Sequence, residues 1–226
     1  TILDGFGHID CLSVSGETLY FCGATSTELP GVYSVALPSG SLDGRESIPE
    51  RFIGTETKLT GASISRPINI EFDTGENEKA YAFFYPPTNS RARTDGGDKP
   101  PLIVGVHGGP TSAARAVLNL KVQFWTSRGF AFLDVNHRGS TGWGRQYRHR
   151  LYQNWGVVDI EDIENGVRLV IDEGFVAPDR IAIRGGSAGG YSVMACLANS
   201  ESVDISKVGD AQNLKDKEII EFLGDN

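Results

Sequence analysis

Residues 180–197 read RIAIRGGSAGGYSVMACL. The apolar residues of 180–184 predict a strand, and those of 188–198 predict a helix. Between and just beyond them stand Gly185, Gly186, Gly189 and Gly190, with the small residues Ser187 and Ala188. A connector so rich in glycine is costly in backbone entropy. The glycines therefore serve close packing, or they let one residue sit where a side chain could not otherwise go. That residue is Ser187. Gly185-Gly186-Ser187-Ala188-Gly189 fits G-x-S-x-G between strand and helix, the sharp turn that lifts a serine hydroxyl above a sheet edge. The helix N-terminus there favours developing negative charge, and the backbone N–H of Ala188 is expected to point into the same space. The plainer alternative is a packing turn with a bystander serine. A phosphate loop would need Lys-Ser or Lys-Thr after its glycines, and neither follows.

A second motif supports the first. LIVGVH (102–107) is a near-continuous apolar run, as expected of a strand covered on both faces, and it leads into His107-Gly108-Gly109-Pro110. Glycines at such a strand end let backbone N–H groups face an oxyanion without side-chain obstruction. Gly109 is the favoured donor and Gly108 the alternative; an ordinary tight turn is the competing reading. Both motifs fall at the carboxyl ends of predicted parallel strands, where such sheets place their sites.

Working outward, FAFLDVN (130–136) is another buried strand, preceded by a helical stretch around Leu118–Arg128. Residues 159–173 give the clearest helix, with Ile160, Ile163, Val167, Val170 and Ile171 at helical spacing and Gly174 as its stop. Asp159, Glu161, Asp162 and Glu164 crowd its start and are expected to face solvent as dipole partners rather than hold a metal. Alternating strands and helices predict a parallel sheet with crossover helices. Two further strands are expected around Ile68–Phe72 and Ala80–Tyr85, and PPTNSRARTDGGDKPP (86–101) is an exposed loop.

The first sixty residues read as all-β. HIDCLSV, TLYFCGA and GVYSVAL alternate around the Gly16-Glu17 and Pro30-Gly31 turns. Three such strands resemble one blade of a propeller. The boundaries drawn are 1–63 for the blade remnant and 64–226 for the parallel-sheet domain, with an atypical tail over 199–226. Leu214, Ile219, Ile220 and Leu223 of that tail could line one side of a short helix.

The chain has 226 residues and a formal net charge of −8, which argues against a nucleic-acid or anionic-membrane surface. No stretch is apolar for the ~20 residues of a membrane span, and the first residues have no signal-peptide pattern. The chain begins with Thr, and an incomplete or processed chain is expected. Cys11, Cys22 and Cys196 show no metal-ligand spacing, and their odd number favours a reducing, cytoplasmic setting. Across a hairpin at Gly16-Glu17, Cys11 and Cys22 fall opposite each other; two buried thiols are favoured over a disulfide. His8 and Cys196 read as structural. No cofactor or metal is expected.

HGGP (107–110), DVNHRGSTGWGR (134–145), WGVVDIEDI (155–163) and GGSAGGY (185–191) together resemble the prolyl oligopeptidase family of serine peptidases, in its acylaminoacyl-peptidase and dipeptidyl-peptidase branch. The similarity covers about residues 64–198 and, more loosely, the preceding blade. It implies a partial α/β-hydrolase domain after a β-propeller remnant, and hydrolysis of short peptides. Ser187 matches the nucleophile, and the N–H groups of Ala188 and Gly109 match the oxyanion donors. Some relatives carry an oxyanion-stabilising tyrosine where this chain has Trp143, whose expected task is loop packing. Arg138 matches a family arginine and is read as an ion that organises its loop.

In this fold the triad runs Ser, Asp, His along the chain, yet no histidine follows Ser187. His107, His137 and His149 are poor substitutes by position, and Asp204 and Asp210 lie beyond the resemblance. The expectation is a serine peptidase acting through an acyl-Ser187 ester, with this chain alone inactive. The alternatives are a non-catalytic remnant that binds peptide or a partner, and an esterase on the same fold. An unpaired sheet flank predicts self-association.

Overall fold

The computed structural model describes residues 4–37, 48–59, 61–89 and 97–199. Expectations for the tail beyond Asn199 and for residues 90–96 of the 86–101 loop lie outside the described residues. The chain divides into two compact units, one running up to Gly61 and joined by Arg115–Leu120, the other formed by Ala62–Ala114 and the chain from Lys121 onward.

The smaller unit is an antiparallel meander of four strands in sequence order: β1 (Phe6–Ser15), β2 (Thr18–Thr25), β3 (Gly31–Ala36) and β4 (Glu50–Gly54). The sequence reading found three of these. Strand β4 escaped it because ERFIG is five residues long and almost wholly exposed, so it carries no alternation of burial. Its core is the aromatic cluster of Phe21 and Tyr33, stacked at 5.5 Å, with Phe6 edge-on to both. Cys11 and Cys22 differ from expectation. A β-bulge between Asp10 and Ser13 sets Asp10 opposite Cys22. Neither thiol is buried: Cys11 is exposed and Cys22 half-buried, and both are free.

The larger unit is a five-stranded sheet in the order β5-β6-β8-β7-β9. Strands β5 (Ile68–Thr74) and β6 (Glu78–Tyr85) form an antiparallel hairpin, and β6 runs antiparallel to β8 (Ala131–Asn136). Strand β7 (Leu102–Val106) pairs in parallel with β8 on one side and β9 (Ile181–Gly185) on the other. The sheet is thus mixed rather than wholly parallel. Parallel neighbours need crossovers, and the chain supplies α1 (Leu120–Thr126), α3 (Val158–Asp172) and, after β9, α4 (Ala188–Asn199). A short α2 (Gly144–His149) has no buried side chain, and so no apolar periodicity by which the sequence could announce it.

Every residue of β7 is buried, as its apolar run requires. Leu102, Val104 and Val106 join Ile163, Val167, Val170 and Cys196 on one side, while Ile103 joins Val122, Phe132 and Tyr85 on the other. Helices therefore cover both faces of the sheet. Val104, Leu133 and Val135 are wholly buried, and each such side chain stabilises the fold by about 1.5–3 kcal/mol. No helix among the described residues is long and apolar enough to cross a membrane.

Candidate active site

Ser187 lies between the end of β9 and the start of α4, exposed to solvent, with φ at +55°. A left-handed conformation is unfavourable for an L side chain other than glycine, and such strain concentrates at functional positions. The following turn holds it there: the Ser187 carbonyl accepts the N–H of Gly190 at 3.0 Å and of Tyr191 at 3.3 Å, and the Gly186 carbonyl accepts that of Gly189 at 3.0 Å. The flanking glycines answer the question raised by their number. A Cβ on Gly185 would stand 2.5 Å from the Gly189 carbonyl oxygen. One on Gly189 would meet the carbonyls of Val106 and His107, the latter at 2.7 Å. The helix packs on the strand ends only because both side chains are missing.

The HGGP segment reaches the same turn. A Cβ added to Gly108 would lie 3.2 Å from the Gly186 carbonyl oxygen and 3.5 Å from Ser187 Cβ. Gly109, at φ +123°, precedes a cis Pro110. The residues Gly108, Ser187 and the α4 N-terminus, which begins at Ala188, thus meet at the carboxyl ends of β7 and β9.

The histidines are engaged elsewhere. His107 donates Nδ1–H to the Gly108 carbonyl at 2.8 Å, and its Nε2 is hydrogen-bonded to Ser140 Oγ at 2.7 Å. Burial, then the neighbouring His137, lowers its pKa to about 4. The ring is neutral near pH 7, so Ser140 donates to the Nε2 lone pair. His137 is buried, stacks on His107 at 4.7 Å, and donates Nδ1–H to the Arg138 carbonyl at 2.8 Å. His149 lies against Tyr152. Among the described residues, no imidazole is hydrogen-bonded to Ser187.

Behind the site, a buried ionic network holds the loop after β8. Arg138 is 1% exposed. Its Nε donates to Asp162 at 3.0 and 3.1 Å, its Nη2 to Glu161 at 2.6 Å, and its backbone N–H to Asp162 at 2.5 Å. Thr74 donates to Asp162 at 2.5 Å. Burial pushes the Asp162 carboxyl upward, and the bonds from Arg138 and Thr74 oppose it. The loop-organising role read for Arg138 matches this geometry. The expectation for the acidic helix start does not hold for two of its members. Asp159 and Asp162 are wholly buried, because each turns inward to satisfy donors: Arg138 and Thr74 for Asp162, Ser192 and Gly156 for Asp159. Trp143 stacks on Tyr81 at 5.0 Å beside Tyr147, a packing role. Nothing in the sequence pattern marked Ser140, Ser192 or Asn136, whose side-chain carbonyl accepts the Ala114 N–H at 2.8 Å.

Known proteins are similar to this chain in sequence and fold. The Prolyl oligopeptidase family matches residues 116–203, which include Arg138, Trp143 and Ser187. Over that segment the chain is similar to the prolyl oligopeptidase family. Dipeptidyl aminopeptidase BIII of Pseudoxanthomonas mexicana is 30% identical over 149 residues, covering 65% of this chain and 22% of that protein. The acylamino-acid-releasing enzyme of Sus scrofa is 30% identical over 146 residues, covering 60% and 19%. Among solved structures, a puromycin-hydrolyzing peptidase of Mycobacterium tuberculosis superposes with a TM-score of 0.80 at 36% identity, over 88% of this chain and 30% of that one. A puromycin hydrolase complexed with PGG superposes at 0.79 and 31% identity, again over 88% and 30%. The chain thus spans about a fifth of the length of these two curated relatives. The first and third of these are peptidases by name, and the mixed α/β fold superposes on the solved structures over most of the described chain.

Proposed function

We propose that this chain carries the nucleophile and oxyanion side of a serine peptidase that acts on short peptides. The observation that carries the reading is the strained Ser187, φ +55°, at the N-terminus of α4. Ser187 Oγ attacks the scissile carbonyl carbon and gives up its proton to a base. The carbonyl oxygen gains the charge, the base passes its proton to the leaving nitrogen, and the C–N bond breaks to leave an acyl-Ser187 ester and a free amine. Donors aimed at that oxygen supply the largest single contribution in such sites. Ala188 N–H is one, with Gly109 N–H the second and Gly108 its alternative. The close approach of Gly108 to Ser187 supports an oxyanion pocket built from this segment.

The base is not among the four histidines of this sequence. His107 has both ring nitrogens committed, and the other three have partners away from Ser187 or no bond to it. In this reading the acid and base of the triad are contributed by polypeptide outside the 226 residues. The isolated chain is then a poor catalyst, and the lack of an imidazole bonded to Ser187 among the described residues favours the second reading, a remnant that binds peptide without cleaving it. An esterase on the same fold is disfavoured by the peptidase relatives. The four-stranded meander is read as one propeller blade, which typically has four strands. Tyr191, Met194 and Leu197 of α4 are exposed and support self-association of the chain. Three free cysteines suit a reducing compartment such as the cytoplasm.

Peptide nitroanilide hydrolysis tests the reading. A polypeptide extended through the family's downstream Asp and His should turn over, and Ser187→Ala should abolish it. Turnover that survives Ser187→Ala would overturn the assignment.

A further inference from the structure

We propose that Asp10, Cys11 and Cys22 form a binding site for a thiophilic divalent cation of the zinc class. Strand alternation would send the side chains of Asp10 and Cys11 to opposite faces of β1. The bulge between Asp10 and Ser13 changes that, and Cys11 takes φ +52°, a conformation unfavourable for an L side chain. Bulges re-aim side chains in this way, and they are treated as built features rather than defects. Here the result is convergence. One carboxylate oxygen of Asp10 and the sulfurs of Cys11 and Cys22 all lie within 4.8 Å of one another.

The donor set selects the cation. Two thiolates are soft ligands, suited to zinc and its heavier relatives, whereas magnesium and calcium take oxygen shells. At a Zn–S distance of about 2.3 Å, the sulfurs of a tetrahedral site stand about 3.8 Å apart. Closing this cluster around an ion thus requires a contraction of about 1 Å at most. Asp10 and Cys11 are exposed, which gives an ion direct access and leaves a fourth position for water. Outside the three ligands, His8 Nε2 lies 3.1 Å from Asp10 Oδ2. That contact orients the carboxylate from behind, as outer partners of metal ligands do. His8 therefore has a partner, contrary to its plain structural reading from sequence. All four residues belong to the β1–β2 hairpin, so the site does not depend on Ser187 or on the peptidase reading.

The test is a titration of the reduced, metal-free 226-residue chain with Cd2+ as the probe. A thiolate-to-metal charge-transfer absorbance should rise and saturate at one equivalent, and Zn2+ should displace it. Cys11→Ser and Cys22→Ser should each abolish the band. His8→Gln should weaken binding by about tenfold. Cys196→Ala, which alters a thiol buried in the other unit, should leave the titration unchanged. Zn2+ should also protect Cys11 from alkylation by a maleimide. Absence of a saturable band, a band that survives Cys11→Ser in a folded protein, or one that depends on Cys196 would overturn the site.

Discussion

The Ser192 hydroxyl donates a 2.5 Å hydrogen bond to Asp159, tying α4, the helix that begins directly after Ser187, to α3. Both residues are buried, and the second Asp159 oxygen accepts the Gly156 N–H at 2.6 Å. Ser192→Ala removes one donor from a carboxylate that water does not reach. The expected loss is about 1–3 kcal/mol of stability, read from the midpoint of chemical denaturation. An unchanged midpoint would mean that the two helices are joined by apolar packing alone.

Gly189 and Gly190 are neighbours in sequence with opposite constraints. A Cβ on Gly189 would collide with backbone carbonyls of β7 and of the residue after it, whereas one on Gly190 finds its nearest neighbour at 3.6 Å. Gly189→Ala should cost about 2 kcal/mol or more, because backbone has to shift. Gly190→Ala should be neutral or stabilising by a few tenths, since alanine is the better helix former. Thermal unfolding of the pair checks this. Equal effects would show that the glycines do not set the distance between α4 and the sheet.

Burial separates the two acidic partners of Arg138. Asp162 is wholly buried beside it, while the Glu161 side chain is 45% exposed. Arg138→Met strands the Asp162 carboxylate and should cost about 3–5 kcal/mol, with Asp162→Leu in the same chain recovering much of it. Glu161→Gln should change stability by about 1 kcal/mol or less. Denaturation of the three variants, measured together, decides between a buried network and a set of surface pairs.

Much of this architecture was legible in the sequence, and the reason is periodicity. Strand β7 reads as an unbroken apolar run because both faces are covered, and α3 shows its buried stripe at helical spacing. The turn at Ser187 is legible because only glycine fits where helix meets strand. What escaped is what lacks a repeating pattern. Strand β4 is exposed, and α2 buries nothing. Asp159 and Asp162 look like any acidic first turn, since sequence does not say which carboxylates rotate inward to meet Ser192 and Arg138. The bulge that brings Asp10, Cys11 and Cys22 together is likewise silent, being one residue of slip between two ordinary strands.

Two half-buried groups titrate in opposite senses, and a single substitution separates them. Burial raises the Asp134 carboxyl from 3.8 to about 7, with Arg184 pulling the other way. The folded chain keeps a proton that the unfolded chain releases between about pH 4 and 7, so this group lowers stability as pH rises through that window. His107, lowered from 6.5 to about 4, does the reverse: the unfolded chain binds the extra proton, and stability rises from about pH 4 to 6.5. The two slopes oppose each other in the parent. Asp134→Asn removes the first and should leave a chain whose stability climbs with pH, exceeding the parent by about 1–3 kcal/mol at pH 7 and above. Unfolding measured from pH 4 to 8 tests this. A variant that parallels the parent at every pH would place the Asp134 carboxyl near its ordinary range.

The most direct measurement is fluorophosphonate labelling, with the modified residue located by mass spectrometry. An unassisted serine hydroxyl stays protonated at neutral pH and is a weak nucleophile. The 226-residue chain should therefore label slowly or not at all. The chain extended through the family's downstream Asp and His should label rapidly and stoichiometrically at Ser187, and Ser187→Ala should remove the label. Rapid labelling of the 226-residue chain would contradict the claim that its base lies elsewhere. An extended, folded chain that labels at another residue, or not at all, would contradict Ser187 as the nucleophile.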